Sequence, residues 1–252
     1  MKLAAALAST VLALAACGDD AGSAGKPQLT VSAAASLKTA FTEYGRQFAG
    51  ASARFSFAGS DELAAQIEQG LRPDVFAAAN TKVPEALYAK GLVEKPTVFA
   101  GNRLVLAVPA ERAKVDSLAD LERDGVTLAV GAKDVPIGAY TRALLAKLPA
   151  ARSTAILGHV RSEEPDVAGI TGKLTQGAVD AGFLYASDVR ATDDKLRAIG
   201  LPGALQPTVA YGVAVVKGAR QPEQARAFVA GLLDGAGADA LRAAGFEPPP
   251  TR

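Results

Sequence analysis

Residues 29–48 have the sequence LTVSAAASLKTAFTEYGRQF, which predicts one strand followed by one helix. The first five residues, LTVSA, form a short β-rich run. From Ser36 onward, apolar residues recur at the spacing of one helix face. The residues of this stripe are Leu37, Ala40, Phe41, Tyr44 and Phe48. The stretch therefore predicts a strand-to-helix turn with a serine at the start of the helix.

The same alternation of strand and helix continues along the chain. Further strands are predicted at 54–57, 74–79, 103–108, 126–130, 181–185 and 208–216. Further helices are predicted at 60–70, 84–90, from Ser117, 136–148, 166–176, 222–233 and 238–244. Because helices separate the strands, we expect parallel sheets covered on both faces. Ligands of such α/β folds bind at the carboxyl ends of the strands, against helix N-termini.

The composition is that of a soluble globular protein with room for two compact lobes. The chain has 252 residues, of which 49% are apolar and 21% charged, which excludes an acidic disordered chain and a polytopic membrane protein. The formal net charge is +1, and loss of Lys2 with a leader peptide would leave the mature chain neutral. A neutral chain without basic runs argues against nucleic-acid binding. With one Cys and one His, neither an internal disulfide nor a cation site is expected.

The first residues predict export. Residues 3–16, LAAALASTVLALAA, are apolar but too short to span a bilayer, which indicates a signal peptide over residues 1–16. The segment ends in Leu-Ala-Ala-Cys and resembles the bacterial lipobox, which implies lipid attachment at Cys17. A plain signal peptide with an incidental Cys is the alternative. Residues 17–25 would then be a flexible tether, and the body would be lipid-anchored on the outer face of the cytoplasmic membrane or in the periplasm.

Three strand-to-helix turns carry uncharged hydrogen-bond donors: AASL at 34–37, AGSD at 58–61 and VPIG at 135–138. Helix N-termini present free N–H groups and the positive end of the helix dipole. Several such ends that converge on one point bind an anion without Lys or Arg. Ser36 and Ser60 would add hydroxyl donors to such a site. The alternative is that each serine only caps its own helix.

Six motifs follow one another in an order that resembles the molybdate-binding (oxyanion-binding) proteins of bacterial ABC transporters. They are VSAAASLKTAF at 31–41, FAGSDELAAQIEQG at 57–70, RPDVFAAAN at 72–80, GNRLVLAVP at 101–109, DVPIGAYTRALL at 134–145 and GAVDAGFLYASDV at 177–189. The resemblance covers residues 29–246, nearly the whole mature chain.

The resemblance implies a type II periplasmic-binding-protein fold, in which two α/β lobes are joined by two crossover segments with a ligand cleft between them. Lobe one would comprise residues 26–106 and 210–246, and lobe two residues 107–209. The crossovers would be RLVLAV and TVAYGVAV, and residues 247–252 would form a frayed tail.

The resemblance also implies the function and the site. A monomeric protein would capture molybdate or tungstate, without cofactor or enzymatic activity, and deliver it to an ABC permease. Ser36, Ser60 and Tyr185 would bind the anion through hydroxyls, and Ile137 and Val167 through backbone N–H groups. Since none of these groups titrates near neutrality, binding should depend weakly on pH between about 6 and 8.

The sequence departs from the family pattern at two places. Asp61 stands where many relatives have a second serine; a carboxylate there either faces solvent or repels the anion. The segment around Val167 matches more loosely. Another small oxyanion, sulfate or phosphate-like, remains an alternative ligand. A secreted serine hydrolase is a further alternative, for which His159 is the one available imidazole base.

Overall fold

Two five-stranded sheets, each flanked by helices, make up the computed structural model, which describes residues 26–111 and 113–251. The signal peptide predicted at 1–16, the tether predicted at 17–25 with Cys17, and the last residue of the tail, Arg252, lie outside the described residues.

The first sheet has the strand order β2-β1-β3-β10-β4. Strand β1 is parallel to β2 and β3, whereas β10 is antiparallel to β3 and β4. The strands are β1 (Gln28–Ala34), β2 (Ser52–Ala58), β3 (Val75–Ala78), β4 (Thr97–Asn102) and β10 (Val209–Val215).

The second sheet has the strand order β7-β6-β8-β5-β9. Strand β6 is parallel to β7 and β8, and β5 is antiparallel to β8 and β9. The strands are β5 (Leu104–Pro109), β6 (Leu128–Gly131), β7 (Val160–Glu164), β8 (Ala181–Tyr185) and β9 (Leu196–Ile199).

Helices cover both sheets. Those packed on the first sheet are α1 (Lys38–Gln47), α2 (Ser60–Glu68), α3 (Lys82–Ala89) and α8 (Pro222–Leu233), and α9 (Ala236–Ala243) packs against α1 and α8. Those of the second sheet are α4 (Pro136–Leu145), α5 (Ala150–Gly158), α6 (Val167–Thr175) and α7 (Ala186–Arg190). Among the residues described, no helix combines the length and the apolar character needed to cross a membrane.

Each sheet with its helices forms one α/β lobe, which confirms the type II periplasmic-binding-protein fold. The chain passes from lobe one to lobe two at Arg103, between β4 and β5, and returns between β9 and β10. A boundary after residue 106 would cut β5, which pairs along its length with lobe two. We therefore move the first crossing to Arg103, and the exact division into lobes stays a prediction.

The expectation of wholly parallel sheets was wrong, because both sheets are mixed. A parallel neighbour requires a long connection that returns the chain to the same end of the sheet, usually through a helix. No helix separates β4 from β5, and only a 3₁₀ turn, Gly203–Leu205, lies between β9 and β10. The strands that enter a sheet directly from the other lobe, β5 and β10, are the antiparallel ones.

Sequence patterns missed β4, α5, β7, α7 and β9. Strand β7, with the sequence VRSEE, is a half-exposed edge strand without an apolar run, so its pattern gave no signal. The tail is also attached further than predicted, because the backbone N–H and C=O of Glu247 both bond to Gly101, at 3.0 and 2.8 Å respectively.

The predicted stripe of α1 packs into the core of lobe one. A 3₁₀ turn, Ala35–Leu37, precedes the helix, so α1 begins at Lys38 rather than at Ser36. Phe228 of α8 packs against the stripe, with ring centroids 5.7 Å from Phe41 and 4.5 Å from Tyr44. The Tyr44 hydroxyl donates to the Phe228 carbonyl at 3.1 Å. One face of α1 therefore fixes α8 on the sheet.

We predict that Gly231→Ala destabilises the protein although alanine favours helices. A β-carbon at Gly231 of α8 would overlap the Tyr44 hydroxyl. We expect a loss of about 1–3 kcal/mol in the free energy of unfolding, measured by urea denaturation. Gly158→Ala is the matched control, because no heavy atom lies within 4 Å of that added carbon. Equal stability of the two variants would contradict this packing.

Candidate functional site

A small cavity of about 20 Å³ lies between the two lobes. Its volume exceeds the roughly 10–15 Å³ that one water requires on this measure, so in this arrangement of the lobes the site is small. Both lobes contribute to its wall. The lining residues are Ala34, Ala35, Ser36, Ala58, Gly59, Ser60, Ala79, Val135, Pro136, Ile137, Pro165, Asp166, Val167 and Tyr185.

The structure brings all five of the predicted site residues to this cavity. Each stands at or just after the carboxyl end of a strand, which is where α/β folds place their ligands. In chain order, Ser36 follows β1, Ser60 follows β2, Ile137 follows β6, Val167 follows β7 and Tyr185 ends β8. That any of them binds a ligand remains a prediction.

The oxygen of the Ser60 hydroxyl already accepts a hydrogen bond. Ser60 is the first residue of α2, and it makes no capping bond to its own helix. Instead its Oγ accepts the backbone N–H of Ala79 at 3.0 Å. Since that N–H can only donate, the hydrogen of Ser60 remains free to be donated.

The Ser36 hydroxyl also has a hydrogen-bond partner, one that lies far away in the sequence. Its Oγ lies 3.0 Å from the hydroxyl of Tyr211 on β10, and it caps no helix. The interpretation that Ser36 and Ser60 serve only as helix caps was therefore wrong. Both serines are buried, at 8% and 2% exposure, so their hydroxyls are held in fixed surroundings.

Two helix starts line the cavity. Pro136 opens α4 and leaves the N–H of Ile137 in its first turn. A β-carbon at Gly138 would overlap the carbonyl of Ala132, which explains the glycine of the VPIG motif. At α6, the Asp166 carboxylate caps Ala168 and Gly169 rather than Val167.

Within the described part of the chain, no recorded hydrogen bond uses the N–H of Ile137 or of Val167. Both amides are therefore available as donors, and each comes with the positive end of a helix dipole.

The Tyr185 hydroxyl is buried, and it has no hydrogen-bond partner among the described residues. Burial raises the pKa of this phenol well above its ordinary value, so it is a neutral donor at every physiological pH. A buried hydroxyl without a partner costs free energy. A ligand in the cavity would remove that cost.

The described residues that line the cavity include no Lys and no Arg. One carboxylate, that of Asp166, reaches the wall, where it is engaged as the cap of α6. Asp61 does not line this cavity but a separate pocket of about 350 Å³, with Lys82 and Asp134. Partial burial raises the pKa of Asp61. Apart from the Asp166 carboxylate, the polar side chains of the wall are therefore neutral hydroxyls.

His159 lies away from the cavity, at the end of α5. Its Nδ1 is 2.8 Å from the carbonyl of Leu121. The hydroxyls of Ser36 and Ser60 have Tyr211 and Ala79 as their partners, so neither is paired with an imidazole base. Across residues 26–111 and 113–251, no group of three His, Cys, Asp or Glu side chains is arranged to hold a metal ion.

The sequence pattern did not reveal Tyr211, whereas Asp188, three residues after Tyr185, was expected to orient the loop or cap a helix rather than to bind the ligand. A signal for Tyr211 existed, because it is the one residue with a polar side-chain atom in the otherwise apolar strand VAYGVAV. A buried polar group requires a partner. Asp188 is also buried, and its Oδ2 accepts the N–H of Tyr185 at 3.0 Å. It thereby orients the residue that ends β8.

Burial raises the pKa of Asp188 to about 7, although the hydrogen bond from the Tyr185 N–H opposes the rise. The folded protein therefore holds this proton up to about pH 7, whereas the unfolded chain releases it near pH 4. Because the folded state binds more protons in that interval, stability contributed by Asp188 falls as the pH rises from about 4 to about 7.

We predict that Asp188→Asn flattens this dependence. The amide keeps an oxygen for the Tyr185 N–H and carries no charge. At pH 7.5 the variant should be more stable than wild type, by on the order of 3 kcal/mol. At pH 4 the difference should vanish, as chemical denaturation across the range would show. Asp124→Asn, at an exposed aspartate, is the control. Parallel pH profiles for wild type and Asp188→Asn would contradict the assignment.

Comparisons with known proteins agree with this geometry. A family model of bacterial extracellular solute-binding proteins matches residues 29–247. The molybdate-binding protein ModA of Mycobacterium tuberculosis is 36% identical over 255 aligned residues, which cover 96% of this chain and 95% of the relative.

Two solved structures extend the comparison. The periplasmic molybdate-binding protein of Azotobacter vinelandii superimposes with a TM-score of 0.79 at 21% identity, covering 88% of this chain and 100% of the other. The substrate-binding domain of a molybdenum ABC transporter from Clostridium difficile gives a TM-score of 0.67 at 26% identity, covering 88% and 99%.

Proposed function

Because the chain belongs to the family of bacterial extracellular solute-binding proteins, we propose that it captures molybdate or tungstate outside the cytoplasm. It then delivers the anion to the permease of an ABC transporter. The observation that carries the proposal is the cavity itself, where Ser36, Ser60 and Tyr185 meet two helix starts.

The donors fit a doubly negative tetrahedral guest. Burial of such an ion is costly unless its oxygens receive hydrogen bonds. Three hydroxyls and the N–H groups of Ile137 and Val167 supply five donors from both lobes. The N-termini of α4 and α6 add favourable dipoles. Without a Lys or Arg in the wall, no opposite charge would slow release to the permease.

The same donors favour an anion without protons. A protonated oxyanion carries an O–H that needs an acceptor, and a wall of donors offers few. Phosphate at neutral pH is therefore disfavoured. Sulfate has the same charge and shape as molybdate, so cavity size must separate the two. Sulfate or a phosphate-like anion is the second candidate ligand.

Closure of the two lobes around the anion is part of the proposal. The lobes already meet at the cavity, where a β-carbon at Gly59 would lie 2.8 Å from the Pro165 carbonyl oxygen. A ligand that bonds to both lobes stabilises the closed arrangement relative to the open one. The closed monomer is then the form that the permease recognises.

A serine hydrolase is not favoured, because neither cavity serine contacts a general base. The relatives reported above are binding proteins, which agrees with a non-enzymatic role at the level of the family.

We predict that molybdate and tungstate raise the melting temperature more than sulfate or phosphate does. A ligand at a thousandfold excess over its Kd stabilises the folded state by about 4 kcal/mol. Ser60→Ala should weaken molybdate binding by about tenfold to a hundredfold, because it removes a hydrogen bond to a charged group. Ser56→Ala, on the exposed side of β2, should bind like wild type. Absence of any shift with the first two anions would reject the proposal.

Export and lipid anchoring complete the proposal. The family comparison supports a place outside the cytoplasm, and Cys17 follows the lipobox-like segment LAA. We predict that Cys17→Ser moves the protein from the membrane to the soluble extracytoplasmic fraction, because lipid alone would hold it. Fractionation with antibody detection measures this. A Ser23→Ala variant in the tether is the control, and membrane retention of Cys17→Ser would contradict the anchor.

A further inference from the structure

A buried set of polar side chains connects Ser36 to the first crossing between the lobes. The backbone N–H of Arg103, at that crossing, donates to Oδ1 of Asn102 at 2.9 Å. This contact fixes the orientation of the Asn102 amide. The opposite end, Nδ2, donates to the Ser187 hydroxyl of lobe two at 2.8 Å. Asn102 is therefore held from both sides, with its N–H groups directed into the protein.

Tyr211 is the next member of this set. It is completely buried, and the Asn102 side chain lies close enough to its hydroxyl to oppose the rise that burial causes in the pKa of the phenol. Among the described residues, the Tyr211 hydroxyl makes its hydrogen bond to Ser36. A buried hydroxyl hydrogen requires an acceptor. The hydroxyl hydrogen of Tyr211 therefore needs an acceptor, and Oγ of Ser36 lies 3.0 Å from the Tyr211 oxygen. Donation from Tyr211 to Ser36 satisfies both hydroxyls.

We propose that Tyr211 is a positioning residue that sets the direction of the Ser36 hydroxyl. By donating to Ser36 Oγ, it leaves the Ser36 hydrogen free to point into the cavity. Tyr211 itself does not line the cavity. The inference rests on the proposed function, in which Ser36 donates to the anion, and it adds a residue that determines specificity.

The Ser60 hydroxyl is held in a corresponding way. There the fixed donor is the backbone N–H of Ala79, which engages the serine oxygen and frees its hydrogen. In the part of the chain that the structure describes, no backbone N–H donates to the Ser36 oxygen, and the side chain of Tyr211 from β10 takes this role. Both serines of lobe one are thereby held as donors toward the cavity, which makes them poor acceptors for a protonated ligand.

Loss of the Tyr211 hydroxyl should therefore change selectivity as well as affinity. In Tyr211→Phe the oxygen of Ser36 is released, so Ser36 can rotate and accept a hydrogen bond from an O–H of the ligand. Molybdate loses a well-directed donor. Hydrogen phosphate gains an acceptor, so the preference for the unprotonated anion falls.

Calorimetric titration of wild type, Tyr211→Phe and Tyr44→Phe with molybdate and with inorganic phosphate tests this. We expect Tyr211→Phe to bind molybdate about tenfold more weakly, the equivalent of about 1.4 kcal/mol and of one hydrogen bond. The ratio of the phosphate Kd to the molybdate Kd should fall at least tenfold. Tyr44→Phe also removes one buried hydroxyl but lies in the core against Phe228, so it should leave both constants unchanged.

A double-mutant cycle separates positioning from general loosening of the structure. If Tyr211 acts through Ser36, Tyr211→Phe should cause no further loss of molybdate affinity in a Ser36→Ala background. Additive losses would overturn the inference, and so would an unchanged anion preference in Tyr211→Phe. Should Tyr211→Phe fail to fold, Asn102→Leu removes the donor at the other end of the set and should lower the preference in the same direction.

The two proposals fail in different ways. Wild-type protein that binds no molybdate would overturn both. Wild-type protein that binds molybdate, with Tyr211→Phe retaining full affinity and preference, would overturn only the role of Tyr211.

Discussion

The proposed function depends on one constraint, which is that a buried anion requires donors whose hydrogens are not already used. At Ser36 and Ser60 the structure engages the hydroxyl oxygen, which leaves the hydrogen to be donated. Ala79 engages the oxygen of Ser60, and Asp166 takes the amides of residues 168 and 169 while that of Val167 stays available. These donors are neutral, and the described residues of the wall add no basic charge. Strand ends and helix starts of both lobes are arranged around this requirement.

Much of the fold could be predicted from the sequence, because strands and helices with an apolar period alternate along it. The stripe of α1 and the strands β1, β5 and β8 lie close to their predicted places. The pattern did not show the direction of each strand or which strands pair with each other. An edge strand such as β7 buries little and shows no apolar period. Whether β10 runs parallel or antiparallel depends on the residues that connect the lobes, and a local period contains no such information.

The sequence predicted which residues lie at the site, but it did not predict which residues they contact. Motif resemblance named five residues, and the structure places all five around one cavity. The partners that orient them come from distant positions: Tyr211 lies 175 residues after Ser36 in the chain. No local pattern connects two positions so far apart. The burial of Asp188 was likewise invisible, because an aspartate at the start of a helix is usually solvated.

The position of β10 between β3 and β4 has a consequence for how the chain folds. Lobe two is formed from one uninterrupted stretch, with strands from Leu104 to Ile199, whereas the first sheet needs a strand that begins at Val209. Until β10 has been synthesised and has paired, β4 has no neighbour in its sheet, and one edge of β3 is unpaired. Contacts between residues so distant in the chain are slow to form. During synthesis, lobe two can therefore complete the hydrogen bonds of its sheet before lobe one does, because the first sheet requires a strand from the C-terminal fifth of the polypeptide.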